Sequence, residues 1–159
     1  AETFIGSIDF KETAQSSVLI RVIKWADDEN NLVLLEISSN QIDSQISVNA
    51  TNPENLDNVA VDIEITGPPE SLLDLATDIG QIFCSGQPGD VWEADSGIGS
   101  IELVVPSGVN IAVELIAGVG AVEVDFDVDG EVSDKRVIGT IGSGDEGEVT
   151  AYVGIGSIS

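Results

Sequence analysis

The sequence contains no histidine and a single cysteine among its 159 residues. Without histidine, a Ser-His-Asp triad, a Cys-His pair and any histidine-ligated metal site are excluded. A pair of carboxylates of the glycosidase type is the acid-base device that remains, but 29 acidic residues form pairs by chance and no position stands out. We therefore expect the chain not to be an enzyme.

The cysteine, Cys84, has no partner for an internal disulfide. The stretch QIFCSG places it beside Ile82 and Phe83 in a predicted strand. A free thiol in such a setting is more often buried and inert than reactive, so we expect no chemistry from it.

Basic residues are scarce, and the formal net charge is −24. The five cations are Lys11, Arg21, Lys24, Lys135 and Arg136. Such a charge repels nucleic acid phosphates and anionic lipid, so we expect neither as a partner. Any assembly of copies would need screening ions or bound divalent cations. Adaptation to high salt explains the same acidity equally well, and the sequence leaves both explanations open.

Methionine is absent, and no apolar run reaches the ~18 residues that cross a bilayer. We therefore expect no membrane insertion. The start at AETF is consistent with removal of a leader peptide and favours an extracellular or cell-surface location, although a trimmed chain would begin in the same way. In an exported protein Asn49, in the sequence Asn-Ala-Thr, is a candidate N-glycosylation site, with chance occurrence as the alternative.

Aromatic residues make up 4% of the chain against 42% hydrophobic residues, which indicates an aliphatic core. Apolar and polar residues alternate with a period of two in SVLIRVIKW, NLVLLEIS, SQISVNA and VAVDIEIT, and this pattern predicts β-strands. ADDENN is interpreted as a hairpin loop. The one helix-like window, PPESLLDLATDI, favours a strand over SLLDLATD. The fold class predicted is all-β.

A glycine motif recurs in the second half of the chain. Its copies are DIGQI, GIGSI, GVGAV and GIGSI, and their second glycines are 19, 21 and 36 positions apart. A period near 20 predicts β-solenoid coils over residues 67–159 of a single β domain, preceded by a strand and hairpins over 1–66. Glycine suits a coil corner because it adopts positive φ and lets a neighbouring backbone approach. The predicted corners are Gly80, Gly97, Gly99, Gly118, Gly120, Gly154 and Gly156.

These repeats, with the strand end LVVPSGVNI, resemble the adhesin-like domains of unknown function found in bacterial and archaeal surface proteins. The resemblance covers roughly residues 59–159 and, more faintly, IGSIDF and VLIRVIKWADDENNLVLLEI. It implies a β-solenoid of short strands with glycine corners, and it implies no catalytic residues. The chain departs from that pattern in its acidity and in a long insertion between Asp127 and Glu148.

The stretch VEVDFDVDG alternates valine and phenylalanine with carboxylates. The spacing Asp-x-Asp-x-Asp-Gly matches the start of a calcium loop, whose oxygen ligands come from alternate positions. Its acidic residues are Asp125, Asp127 and Asp129. The match breaks where Arg136 takes the place of the bidentate glutamate. A solvated carboxylate face of a strand is the alternative, and calcium is a candidate cofactor.

The two ends of the chain carry apolar residues that need a partner surface. Phe4, Ile8 and Phe10 either pack on this chain's own body or insert as a strand into the next copy. Ile155 and Ile158 lie in a last repeat with no polar cap, and uncapped edges attract strands. Truncation of the chain, or a lid formed by the insertion, is the alternative.

We therefore predict an exported structural or adhesive subunit that assembles with copies of itself into a filament, tube or sheet, with calcium as a candidate aid. The alternative is a monomeric module that binds a cell-envelope ligand or a carbohydrate.

Overall fold

In a computed structural model, which describes residues 1–159, the chain forms twelve β-strands and one short 3-10 helix at Glu29–Val33. The strands are β1 (Glu2–Ile5), β2 (Ile8–Glu12), β3 (Leu19–Ala26), β4 (Glu36–Ile42), β5 (Gln45–Thr51), β6 (Val59–Gly67), β7 (Leu73–Ser85), β8 (Val91–Val104), β9 (Ile111–Val122), β10 (Asp129–Ser133), β11 (Arg136–Ile141) and β12 (Gly147–Ile158). The all-β prediction is confirmed, and the window PPESLLDLATDI runs into strand β7 and forms no helix. No helix of the structure is long and apolar enough to cross a membrane.

The strands form one sheet whose main path runs β10-β11-β9-β12-β8-β7-β1-β5-β4. Strand β6 lies off this path between β2 and β3, and β2 also pairs with β7. The centre is parallel, and the glycine repeats are in register: Gly80 lies opposite Gly99, and Gly156 lies between Gly99 and Gly120. The sheet is open, with β10 and β4 at the ends of the path, so the finer prediction of closed solenoid coils is not shown.

Each long strand changes the face that it buries at its glycine. In β7 the buried side chains are Leu73, Leu75 and Thr77 before Gly80, and Ile82 and Cys84 after it. A regular strand keeps one parity throughout, so the glycine shifts the alternation by one residue and divides the strand into two arms. Strands β1 and β2 repeat this arrangement as two separate strands joined at Gly6, which the sequence repeat did not include.

The bends stack on one another through backbone contact. A β-carbon built at Gly99 would lie 1.7 Å from the carbonyl oxygen of Gly80, and its φ is +153°. Alanine fits neither that space nor that dihedral, and the same holds at Gly80, Gly120 and Gly156. At Gly97, Gly118 and Gly154 the neighbouring carbonyl is 2.5–2.7 Å from a built β-carbon, so these positions require glycine for close approach alone.

The two arms of each strand enclose an aliphatic core of 28 buried residues. It joins the N-terminal strands to the glycine repeats, and Phe10 packs edge-on against Trp92 with ring centroids 5.8 Å apart. Cys84 is buried there as predicted, and burial raises the pKa of its thiol to about 12.

Two connections differ from the sequence interpretation. ADDENN does not close a hairpin, because β3 pairs antiparallel with β6 while β4 pairs with β5, and part of the segment enters the 3-10 helix. The insertion after Asp127 forms the β10–β11 hairpin, which folds back antiparallel along β9. The last repeat is therefore not at an edge of the sheet. Its strand β12 is hydrogen-bonded on both sides, to β8 and to β9.

Candidate binding surface

A row of exposed aliphatic side chains follows the bends of five adjacent strands. The residues are Ile5, Ile79, Ile98, Ile155 and Val119, in the order β1, β7, β8, β12, β9, and each is paired in register with the next. Their exposed fractions run from 37% at Ile5 to 60% at Val119. We call this row the corner ridge. At a strand spacing of ~4.8 Å it is roughly 19 Å long.

Each ridge residue is followed by a glycine, which has no side chain to cover it, and three of the five are also preceded by one. Ile98 lies between Gly97 and Gly99, and Ile155 lies between Gly154 and Gly156. At the bend the alternation of inward and outward side chains shifts by one residue, and this shift turns the ridge side chains outward. An aliphatic patch with polar borders on an otherwise acidic protein is typical of an interaction site.

One end of the ridge meets an aromatic cleft. Ile5 shares a cavity of about 400 Å³ with Trp25, a residue that is more than half exposed. The indole Nε1 of Trp25 donates a hydrogen bond of 2.6 Å to a carboxylate oxygen of Asp62. The other oxygen of Asp62 accepts bonds from the backbone N–H and the hydroxyl of Ser7, so the carboxylate and the indole are held in place.

A polar groove of about 770 Å³ runs along one flank of the same ridge and includes Ile5, Ile79 and Gly97 in its lining. Its carboxylates are Glu2, Asp78 and Asp95, and its amides are Asn49, Asn52 and Asn55. Partial burial, and then the nearby charge of Asp78, raise the pKa of Asp95 above its ordinary value. We call these residues the acidic groove.

No lysine or arginine pairs with a carboxylate of the acidic groove, and its one cationic neighbour is the N-terminal ammonium of Ala1, which is attracted to Glu2. The three ion pairs of the chain are Lys11 with Asp9, Arg21 with Glu64, and Arg136 with Glu131. Lys24 donates to the carbonyl oxygens of Leu32 and Leu35 instead. On the other flank the ridge borders neutral side chains, where the amide of Gln81 donates to the hydroxyl of Ser100.

The predicted calcium residues are not brought together. Asp125 and Asp127 lie on an exposed segment outside any strand, and Asp129 begins β10. The structure contains no group of three or more acidic or other ligating side chains arranged to hold a metal ion. The long carboxylate-faced strand that the alternation implied does not form, because β9 ends at Val122.

The structure places the five predicted assembly residues in different environments, and their role in assembly stays a prediction. Ile8, Phe10 and Ile158 are fully buried in the chain's own core. For Ile8 and Phe10 this burial fits the alternative that they pack on this chain's own body. Phe4 packs partly against that core and lines the acidic groove. Ile155 alone among the five is largely exposed, as part of the corner ridge.

Sequence reasoning missed the rest of the ridge. The available signal was the middle residue of each Gly-x-Gly, which is aliphatic at Ile98, Val119 and Ile155. The candidate glycosylation residue Asn49 lies in β5 at the border of the acidic groove, where its amide donates a 3.4 Å hydrogen bond to Glu2.

No protein-family model matches the chain. No curated protein matches it either. A solved structure of a "putative cell adhesion protein" from Clostridium sporogenes is similar to it, with 15% sequence identity and a TM-score of 0.61, over 99% of this chain and 88% of that one. At this identity the likeness shows that the two chains share a fold.

Proposed function

We propose that this chain is a cell-surface adhesive domain that binds its partner through the corner ridge and the acidic groove beside it. The observation that carries the proposal is the in-register row of five exposed aliphatic side chains bordered by glycine. Exposing such a row costs solubility, and a partner surface offsets that cost. The structurally similar protein from Clostridium sporogenes is described as a cell adhesion protein, which supports the same role.

Binding fits these residues better than catalysis. The chain has no histidine, its thiol is buried in the core, and the hydroxyls of Thr3 and Thr77 in the groove donate to backbone carbonyls and not to a carboxylate base. Adhesion requires only a surface of this kind. We place the domain outside the cell or on its surface.

Self-assembly into a polymer has weaker support than adhesion to another molecule. Ile8 and Phe10 of the N-terminal strands are buried in this chain, and β12 has hydrogen-bonded neighbours on both sides. Copies that each carry a charge of −24 also repel one another unless salt screens them. Calcium-assisted association stays a prediction, which a comparison of calcium with other salts tests.

The experiment is an adhesion assay with beads that carry the purified domain. The beads are presented to Gram-positive cells, Gram-negative cells and immobilised extracellular-matrix proteins. Beads with the double variant Ile98→Thr/Ile155→Thr serve as the comparison, since threonine keeps the β-branched shape and the net charge. We expect the wild type to adhere to at least one of these surfaces and the variant to lose that adhesion. Equal adhesion of both would contradict the proposal.

A carbohydrate-binding module is the second candidate, and the acidic groove favours it. Carboxylates and amides beside a partly exposed phenylalanine, Phe4, provide the hydrogen bonds and the apolar contact that a sugar requires. A glycan array tests this candidate with the variant Glu2→Gln/Asp95→Asn. Glycan binding that this variant abolishes, and that Ile98→Thr/Ile155→Thr leaves intact, would favour the carbohydrate.

A further inference from the structure

We propose that the corner ridge and the acidic groove together bind a basic amphipathic segment of a partner protein. This inference rests on the proposed function and adds the chemistry of the partner. The apolar face of the segment would cover the ridge, and its lysine or arginine side chains would reach the carboxylates on one flank.

The negative charge of the acidic groove favours a basic segment as the ligand. The groove places Glu2, Asp78 and Asp95 along one side of the ridge, and none of them forms an ion pair with a lysine or arginine side chain. The opposite flank is neutral, with Gln81 and Ser100 at the bend. A ligand that is apolar on one face and basic on one side therefore matches the surface, whereas an acidic or neutral apolar ligand leaves the carboxylates unpaired.

The far end of the ridge has a cation of its own. Lys135 lies beside the bend of β9, with its Nζ 3.5 Å from the carbonyl oxygen of Gly118, next to Val119. The surface is thus acidic near β1, β7 and β8 and less so near β9. The basic side chains of the segment are expected to cluster over the β1 to β8 end.

A second copy of this chain is a poor occupant because each copy carries the same charge of −24. Two such ridges would face each other with their acidic grooves alongside, which charge repulsion opposes at low salt. Only five basic side chains exist in the chain, and three of them are in ion pairs.

The length and spacing of the ridge suit a short helix. A helix of about 13 residues spans roughly 19 Å, and its turns repeat every ~5.4 Å, close to the ~4.8 Å spacing of the ridge residues. Side chains on one face of an extended strand repeat at roughly 6.8 Å, which matches the ridge less well.

The test measures binding of one synthetic peptide by the full chain. The probe is an amphipathic peptide of about 14 residues, roughly 21 Å long as a helix, with leucine at i, i+3, i+4 and i+7 and lysine elsewhere. The same peptide with glutamate in place of lysine is the negative control. Affinity is measured by calorimetry at about 0.15 M salt, where the screening length is ~8 Å and distant charges contribute little.

Two variants remove the two parts of the surface, and each has a matched control. Ile98→Thr/Ile155→Thr removes ridge methyl groups, and Ile42→Thr/Val132→Thr makes the same change at exposed positions on β4 and β10. Asp78→Asn/Asp95→Asn removes two groove charges, and Asp125→Asn/Asp127→Asn removes two charges elsewhere. We expect each surface variant to weaken binding by about tenfold or more, and each control to change it by less than about twofold.

Trp25 reports the location of the peptide. It is exposed at the β1 end of the ridge, whereas Trp92 is buried in the core. Bound peptide should shift the tryptophan emission to shorter wavelength in the wild type and not in Trp25→Phe. Far-UV circular dichroism and thermal unfolding establish that each variant is folded, and Val119→Thr replaces the ridge pair if that pair fails to fold.

Three outcomes would overturn the inference. If the control Asp125→Asn/Asp127→Asn weakens binding as much as the groove variant, attraction is a general effect of net charge. If the glutamate peptide binds as tightly as the lysine peptide, charge complementarity is wrong. If sedimentation shows that the wild type forms a dimer that Ile98→Thr/Ile155→Thr dissociates, the occupant is a second copy.

The bead assay and the peptide assay can refute the adhesive function and the basic ligand separately. Ridge-dependent bead adhesion without ridge-dependent peptide binding leaves the adhesive function standing and refutes the basic segment. Peptide binding that requires the ridge, together with bead adhesion that does not, refutes the adhesive function of this surface and leaves its ligand chemistry standing.

Discussion

At Gly156 the backbone of β12 approaches that of β8 so closely that a side chain has no room. A built β-carbon would lie 1.6 Å from the carbonyl oxygen of Gly99, and φ is +148°. The contact repeats from strand to strand, because Gly120 meets Gly156 in the same way. The bend that exposes the corner ridge therefore depends on single glycines.

Gly156→Ala should lower the free energy of unfolding by more than about 3 kcal/mol, because it combines a backbone clash with an unfavourable dihedral. Gly108→Ala is the control, since Gly108 has positive φ but open space around it, so that its cost is dihedral strain of about 1–2 kcal/mol. Urea unfolding followed by circular dichroism measures both. Equal losses at the two sites would show that backbone contact contributes nothing.

Cys84 is the residue whose environment predicts a pH effect. Burial raises the pKa of its thiol from an ordinary value near 9 to about 12. Between these values the unfolded chain ionises while the folded chain does not, so folding stability falls as pH rises through this range. We expect Cys84→Ala to be less stable than the wild type at pH 7, with a smaller further loss between pH 8 and 10. A thiol reagent should modify Cys84 only after unfolding, and rapid labelling of the native protein would contradict its burial.

The sequence predicted the side chains after each bend better than those at the bend. Period two places the aliphatic residue two positions after each corner glycine on one face, and Ile82, Ile101 and Val122 are all buried. The outward direction of Ile79 and Ile98 was missed, because period-two alternation alone assigns Ile79 to the same inward face as Thr77. The change of face arises from backbone dihedrals that neighbouring strands impose.

At the scale of elements, the strands were predictable and their order was not. Alternation predicted that VAVDIEIT and SVLIRVIKW form strands, but it carries no information about which strand pairs with which. Residues 19–26 pair with 59–66, across some 40 residues of chain, and not with the strand that follows them. Likewise β12 enters between β8 and β9, although sequence order would place it outside β9.

The β10–β11 hairpin covers the outer side of β9, which would otherwise be a free parallel edge. Val137 is buried opposite Leu115, so the hairpin contributes core contacts as well as backbone hydrogen bonds. Its ends are close together, because Asp129 pairs with Thr140. The insertion is therefore a cap, and it explains why the last repeat needs none.

Deletion of residues 129–141, which joins Val128 to Gly142, should expose the β9 edge and cause association that increases with protein concentration. The control replaces Asp134 and Lys135 by Asn-Gly and leaves both strands of the hairpin in place. Sedimentation velocity at moderate salt compares the two proteins. A folded deletion variant that stays monomeric at high concentration would show that the edge is protected by charge alone.

At the scale of the whole molecule, the net negative charge affects association with other molecules and the stability of the fold. A charge of −24 on 159 residues keeps copies apart and favours basic partners, and it also strains the folded state by self-repulsion. Composition alone predicts the repulsion between copies. It did not predict where the unpaired carboxylates would gather, because Glu2, Asp78 and Asp95 are far apart in the chain and meet only through the parallel pairing of β1, β7 and β8.

Screening of the negative charges by salt should therefore stabilise the folded chain. A comparison of calcium with magnesium shows whether any stabilisation comes from cation binding at a specific site. We expect the unfolding temperature to rise when sodium chloride increases from about 0.01 to about 0.5 M, since the screening length falls from ~30 Å to a few ångströms. Calcium and magnesium at equal ionic strength should act alike, because no trio of ligating side chains is assembled in the structure. An increase specific to calcium, and lost in Asp125→Asn/Asp127→Asn but not in Asp78→Asn/Asp95→Asn, would instead establish a site at the acidic stretch before β10. An increase lost only in the second variant would place calcium in the acidic groove, where it would compete with a basic segment for the same carboxylates.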